Sequence, residues 1–217
     1  MTLAAFDFDE TLSRSDLSIL LARAYDVDGE VSGLLEQGLR GDVDFETTLR
    51  QRVSLLEGMP ERRVQTAFDR CRLRKGAPEL LTDLRRAGVT VAVITGTFER
   101  GVESALSAAD VAVDHVVANQ LEMENGALTG TVTGPLLEAG KDQALVEIAT
   151  AAGVDLDRTI AVGDGETDLP MLRMAETAVG FDPAPLVEGH CDEVVTSMGK
   201  LRLYFEQHGY LDGTVEE

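Results

Sequence analysis

The run Leu3-Ala4-Ala5-Phe6-Asp7-Phe8 is apolar without alternation until its carboxyl end, where Asp7 and then Asp9 interrupt it. A strand apolar on both faces must be covered on both faces, which places it inside a parallel sheet between two helical layers. Further apolar runs of strand length recur at Val89 to Ile94, Val116 to Ala118, Thr159 to Val162 and Ala178 to Val179. Helix-period segments lie between them, from Pro78 to Ala87 before Gly88, from Glu99 to Ala109, and from Lys141 to Ala152 before Gly153. In the last of these Ala144, Leu145, Ile148, Ala149 and Ala152 share one face, as a helix packed on a sheet requires. The alternation predicts an α/β fold with a Rossmann-like parallel sheet and functional groups at the carboxyl ends of its strands.

Two regions break the alternation. From about Asp16 to Arg74 only helical patterns occur, at Leu17 to Tyr25, Asp44 to Leu56 and Pro60 to Leu73, which predicts a helical cap inserted after the first strand. The implied division is a core of residues 1–14 and 76–217 and a cap of residues 15–75. From Asn119 to Val132 the pattern is instead a hairpin, because Asn125-Gly126 accepts the positive φ angles of a type I′ turn. The tail from Gly209 to Glu217 is polar and is expected to fray.

Composition narrows the partners. The 217 residues carry 39 acidic against 19 basic groups, a formal charge of -20 that repels nucleic acid and anionic membranes. The acids are spread along the whole chain and the lysines are confined to Lys75, Lys141 and Lys200, a balance that points to a salty cytosol in which screening suppresses self-repulsion. An ordinary acidic protein would show the same excess. Cys71 and Cys191 sit in no metal-like spacing and read as free thiols. No apolar run approaches the roughly 20 residues of a membrane span, and the amino terminus lacks a basic signal region, so the expectation is a soluble cytoplasmic protein, monomer or homodimer.

The chemistry-bearing residues stand at strand ends. Residues two apart in an extended chain point the same way, so Asp7 and Asp9 are expected to project together, and a cation such as Mg²⁺ would relieve their repulsion. One carboxylate can then attack phosphorus while the other serves as acid and base; a mere loop boundary would also explain the pair. Gly163-Asp164-Gly165-Glu166-Thr167-Asp168 follows another strand, and its glycines allow a tight turn that brings Asp164 to the same edge, with Asp168 one helical turn on. A glycine turn with Asp164 or Thr167 capping a helix is the simpler alternative. Thr95-Gly96-Thr97 offers a hydroxyl and free N–H groups to a phosphoryl group. Lys141, in the first turn of a helix, opposes the helix dipole and calls for an anion in front of it. On the cap, Phe45 and Arg52 are seven residues apart and so share a helix face with Leu49, Val53 and Leu56. A cation on that stripe either snorkels to water or binds a carboxylate.

These residues, in this order, resemble the four motifs of the haloacid dehalogenase superfamily, and the Asp-x-Asp-x-Thr form at Asp7 to Thr11 is that of its phosphotransferring members. The cap stretch Asp44 to Leu56 and the segment Val117-Ala118-Asn119-Gln120-Leu121 are similar to those of the phosphoserine phosphatases. The resemblance implies Asp7 as nucleophile and Asp9 as general acid and base, with Thr95, Gly96 and Lys141 on the phosphoryl group. It further implies Mg²⁺ on Asp7, the Asp9 carbonyl and Asp164, with Asp168 behind them. Asp16 would take the substrate ammonium and Arg52 its carboxylate, with Phe45 and Thr167 beside the substrate. Departures are Thr95-Gly96-Thr97 where serine and two glycines are usual, Asp16 for a longer glutamate, and Glu10 for a small residue. The expected activity is hydrolysis of phosphoserine through an aspartyl-phosphate; a phosphatase for another small ester, a phosphotransferase, or a phosphate-accepting signalling module are the alternatives.

Overall fold

The computed structural model describes residues 1–137 and 139–211. In chain order the strands are β1 (Thr2–Phe6), β2 (Val89–Phe98), β3 (His115–Glu124), β4 (Ala127–Thr133), β5 (Thr159–Gly163), β6 (Thr177–Phe181) and β7 (Glu193–Val195). They form one seven-stranded sheet in the order β4-β3-β2-β1-β5-β6-β7, parallel throughout except for the hairpin of β3 and β4. The central place of β1 follows from its composition: Leu3, Ala4, Ala5 and Phe6 are all completely buried. Ala4 and Phe6 face one apolar layer, and Leu3 and Ala5 face the other.

The helices are α1 (Leu17–Tyr25), α2 (Asp28–Leu39), α3 (Phe45–Ser54), α4 (Glu61–Phe68), α5 (Ala77–Arg86), α6 (Glu99–Ala108), α7 (Lys141–Ala152), α8 (Leu169–Met174), α9 (Pro185–Glu188) and α10 (Met198–Gln207). Ala144, Leu145, Ile148 and Ala149 of α7 pack on one sheet face with Met171 and Leu172 of α8. The opposite face takes Leu80 and Leu84 of α5, Val102 of α6 and Phe205 of α10. Leu17, Leu21, Leu49, Val53 and Phe68, from the helices between β1 and β2, join this second layer. No helix among the described residues is long and apolar enough to cross a membrane.

Two sets of main-chain contacts set the position of α1 to α4. Where the chain leaves and returns to the sheet, Ser13 and Leu73 form an antiparallel bridge and the Arg74 N–H donates to the Leu12 carbonyl at 2.7 Å. Farther out, the α3–α4 connection is laced to the hairpin: Gly58 N–H donates to Leu128 C=O at 2.8 Å, Leu128 N–H to Met59 C=O at 3.0 Å, and Glu61 N–H to Gly126 C=O at 2.9 Å. These bonds hold the carboxyl end of α3 against the edge of the sheet.

Several elements differ from the sequence reading. β1 stops at Phe6, and Phe8 to Leu12 form a wide turn with Asp9 extended and Glu10 in the left-handed region at φ 58°. β2 runs on to Phe98 with an irregularity between Ile94 and Phe98, so Thr95 to Thr97 are a bulge inside a strand. α2 was not foreseen, because Gly29, Gly33 and Gly38 dilute its pattern and Val31 is its one buried residue. The short edge strand β7 and the helices α8 to α10 also went unread. Leu211 is buried and Tyr210 packs edge-on to Phe205, so the expected fraying does not begin at Gly209; residues 212–217 lie outside the described residues.

Candidate active site

A cavity of about 400 Å³ opens at the carboxyl ends of β1, β2 and β5, roofed by α1, α2 and α3. Asp7, Asp9, Asp16, Phe45, Arg52, Thr95, Gly96, Lys141, Asp164, Thr167 and Asp168 all line it. Residues far apart in sequence meet here because parallel strands deliver their carboxyl ends to one rim.

The floor is a charge cluster. Lys141, the first residue of α7, places its Nζ 2.5 Å from Asp7 Oδ1 and 2.5 Å from Asp168 Oδ1. These carboxylates supply the anion that a buried cation at a helix amino terminus requires. The other oxygen of Asp168 accepts from the N–H groups of Asp164 and Gly165, each at 2.9 Å, and fixes the turn after β5. Gly163 is needed there, since a Cβ would lie 2.5 Å from Asp168 Cγ. The Thr11 hydroxyl donates to Asp164 Oδ1 at 2.6 Å. Asp7, Asp164 and Asp168 thus present carboxylate oxygens within 4.8 Å of one another.

Burial pushes Asp7 up to about 6, with the charge of Asp168 adding to the shift and Lys141 opposing it. Asp164 rises to about 8, through burial first and then through Asp7 and Asp168. Burial works against the Lys141 ammonium, yet Asp168 and Asp7 hold its pKa above the ordinary lysine value. One ammonium does not neutralise the three carboxylates, and the residual negative charge adds to burial in raising the proton affinity of Asp7 and Asp164. A divalent cation would fit this donor set of hard oxygens. Asp168 has both oxygens engaged, which suits a group standing behind the cation.

Asp9 lines the same cavity as Asp7, near enough for the two charges to interact, and its carboxylate accepts from the Leu17 N–H at 3.3 Å. Burial, then the charges of Asp16 and Asp7, raise its pKa well above the usual carboxylate range, while the Leu17 N–H opposes them. Thr97, one of the departures from the family's motif, lines the cavity with Thr95 and Gly96. Glu10 keeps its left-handed backbone beside Arg74, whose guanidinium donates to the Glu10 carbonyl at 2.5 Å and to the Ser13 carbonyl at 3.2 Å and lies 5.0 Å from the Phe181 ring centroid.

The roof carries a second pair of charges. Arg52 is buried, 4 % exposed, and donates to the Ser18 hydroxyl at 3.0 Å and to the Thr48 carbonyl at 3.3 Å. Its Nη1 is 3.9 Å from Asp16 Oδ2. Burial lowers the Arg52 pKa, with Asp16 and Asp9 opposing. The other oxygen of Asp16 caps α1 through the Ile19 N–H at 3.0 Å and accepts from the Ser18 hydroxyl. Phe45, at the first turn of α3, rests on Gly96. Ser18 was not foreseen and carried no sequence signal, whereas Thr11 was in the first motif without a role assigned to it.

A family model of haloacid dehalogenase-like hydrolases matches residues 4–173. A phosphoserine phosphatase of Halobacterium salinarum is 46% identical over 96% of this chain and 99% of its own length. One from Methanocaldococcus jannaschii is 35% identical over 88% of this chain and 90% of its own. Two solved structures, a phospho-aspartyl intermediate analogue of phosphoserine phosphatase and a substrate-bound phosphoserine phosphatase, each align with a TM-score of 0.87 over 94% of this chain, at 33% and 32% identity and over 98% and 97% of their own chains. The chain belongs to the haloacid dehalogenase-like hydrolase family and, within it, resembles the phosphoserine phosphatases.

Proposed function

We propose that the protein is a Mg²⁺-dependent phosphoserine phosphatase of the cytoplasm, working by way of an aspartyl-phosphate. The observation that carries this reading is one cavity joining a phosphoryl-transfer floor of Asp7, Lys141 and Asp164 to a roof that pairs Arg52 with Asp16. Phosphoserine offers a matching phosphate, carboxylate and ammonium.

Asp7 attacks phosphorus in line, forming an Oδ–P bond as the bond to the serine oxygen breaks. Lys141 neutralises charge on the transferring group, and Thr95 with the Gly96 backbone holds its oxygens. Burial and the charges of Asp16 and Asp7 raise the proton affinity of Asp9, which suits it to give a proton to the departing serine oxygen. It then takes a proton from the water that attacks phosphorus, which frees Asp7 and releases phosphate. Asp7, the Asp9 carbonyl and Asp164 would hold Mg²⁺, with Asp168 behind them. The ion supplies positive charge to the phosphoryl oxygens when bound.

Arg52 orients the substrate carboxylate and Asp16 the ammonium, each giving up part of their mutual contact. Phe45 and Thr167 close the walls. Residues 15–75 act as the cap over a core of 1–14 and 76–217, a division supported by the Ser13–Leu73 bridge. The dispersed negative charge supports a salt-adapted protein, and its two unpaired thiols support a reducing compartment.

The test compares phosphoserine with phosphoethanolamine, phosphoglycolate and p-nitrophenyl phosphate in wild type and Arg52→Ala. The expected result is preference for phosphoserine in the wild type, and a loss of roughly 30- to 100-fold in kcat/KM confined to carboxylate-bearing esters in the variant. An equal loss on esters without a carboxylate would remove Arg52 from recognition, and a wild type indifferent to the serine moiety would remove phosphoserine.

A further inference from the structure

Asn119 is completely buried in β3, beneath the phosphate-facing bulge of β2, and the activity described above makes no use of it. Its Nδ2 donates to the Gly96 carbonyl at 2.9 Å, and its Oδ1 accepts from the Leu136 N–H at 3.1 Å. Both partners are main-chain groups of fixed polarity, so only one orientation of the amide satisfies them. The amide is closely held: a Cβ at Gly134 would lie 2.6 Å from Asn119 Oδ1.

The consequence lies on the far side of the peptide. In a trans peptide the C=O and N–H point in opposite directions. Anchoring the Gly96 carbonyl on Asn119 therefore turns the Thr97 N–H the other way. That N–H makes a long contact, 3.5 Å, to the Thr95 hydroxyl, and both Thr95 and Thr97 line the cavity. The bulge in β2 frees this N–H from regular pairing, and Asn119 sets the plane in which it is presented.

We propose that Asn119 is a positioning residue for the phosphoryl cradle: it holds the Gly96–Thr97 peptide so that the Thr97 N–H joins the Thr95 hydroxyl in binding a phosphoryl oxygen. Through Leu136 it ties the cradle to the chain that precedes α7, the helix that begins with Lys141. The inference rests on the phosphoryl-transfer reading of this site but not on the identity of the ester.

The test measures kcat and KM for phosphoserine and for p-nitrophenyl phosphate, and competitive inhibition by inorganic phosphate and by L-serine, in wild type and Asn119→Ala. The alanine removes the donor to Gly96 together with the acceptor for Leu136. The expected result is a fall in kcat of roughly 100-fold on both esters, as for loss of one oriented donor, with weaker inhibition by phosphate and inhibition by L-serine within about twofold of wild type. Should this variant fail to fold, Asn119→Ser, which leaves a smaller void and still lacks the amide, is expected to show the same selective loss. Unchanged kcat overturns the proposal. So does equal loss of phosphate and serine binding, including through unfolding of both variants, because Asn119 would then serve the fold alone. A defect seen in the wild type on phosphoserine but not on p-nitrophenyl phosphate falls on the substrate assignment only.

Discussion

The ring of Phe45 lies against the backbone of Gly96 so closely that a Cβ at Gly96 would sit 2.5 Å from Phe45 Cζ. This contact joins the first turn of α3 to the bulge of β2, and it leaves no room for any side chain at residue 96. Gly96→Ala must displace the Phe45 ring, at a cost of about 1–3 kcal/mol in stability. It is expected to lower kcat/KM by 10-fold or more. Phe45→Ala should relieve the clash, so the double variant loses less stability than the sum of the single changes, as a thermal-melt mutant cycle would show.

Asp16 carries two duties that substitution can separate. Asp16→Asn keeps an oxygen for the Ile19 N–H and so retains the cap of α1. It removes the charge beside Arg52, and it should raise KM for phosphoserine with little change in melting temperature. Asp16→Ala should raise KM and also lose about 1 kcal/mol of stability. Equal KM values in Asp16→Asn and wild type would remove Asp16 from ammonium binding.

Asp7→Asn should reduce turnover by 10⁴-fold or more, the order seen when a nucleophile is lost. The fold should persist, because Lys141 keeps Asp168 as a partner at 2.5 Å. Substantial residual hydrolysis, measured after excluding deamidation by mass spectrometry, would exclude Asp7 as the nucleophile.

Asp7 near 6 and Asp164 near 8 both lie above the ordinary carboxylate value close to 4. The metal-free folded chain therefore holds protons that the unfolded chain gives up between pH 4 and 8. Its stability from these groups is complete below about pH 4 and declines as pH rises through 6 and then 8. Mg²⁺ displaces those protons, so its affinity should rise over the same interval. Melting temperatures in a chelator should fall from pH 5 to pH 8 and recover with Mg²⁺, and Asp164→Asn should flatten both trends.

The net charge of -20 predicts that the unfolding midpoint rises with KCl as screening relieves self-repulsion. A protein most stable without added salt would overturn the reading of salt adaptation.

The parallel sheet was legible because β1, β2 and β5 are apolar on both faces, a pattern that admits few other folds. α7 and α1 were legible to the residue from their apolar stripes and caps, whereas α2 was hidden by its glycines and by a surface that buries only Val31. Among site residues, the grouping of Asp7, Lys141, Asp164 and Asp168 followed from their places at strand ends and helix starts. The turn that holds Asp9 did not, because the chain leaves the strand after Phe6 and Glu10 takes a left-handed backbone. Ser18 escaped notice, and Asn119 was named only within a family-like segment with no role, since each acts through a hydrogen bond to a residue distant in sequence, which no local pattern records.

The order of residues by itself determined which segments are covered on both sides, and therefore that several acids and one lysine arrive at a single rim. It did so because burial of apolar surface is read from composition and period alone. Only the tertiary structure decided which oxygen of each carboxylate meets which partner, how far Arg52 stands from Asp16, and which way the Gly96–Thr97 peptide faces. Those outcomes depend on tenths of an ångström between chains brought together by folding, and hydrogen-bond direction at that scale is set by packing rather than by spacing along the sequence.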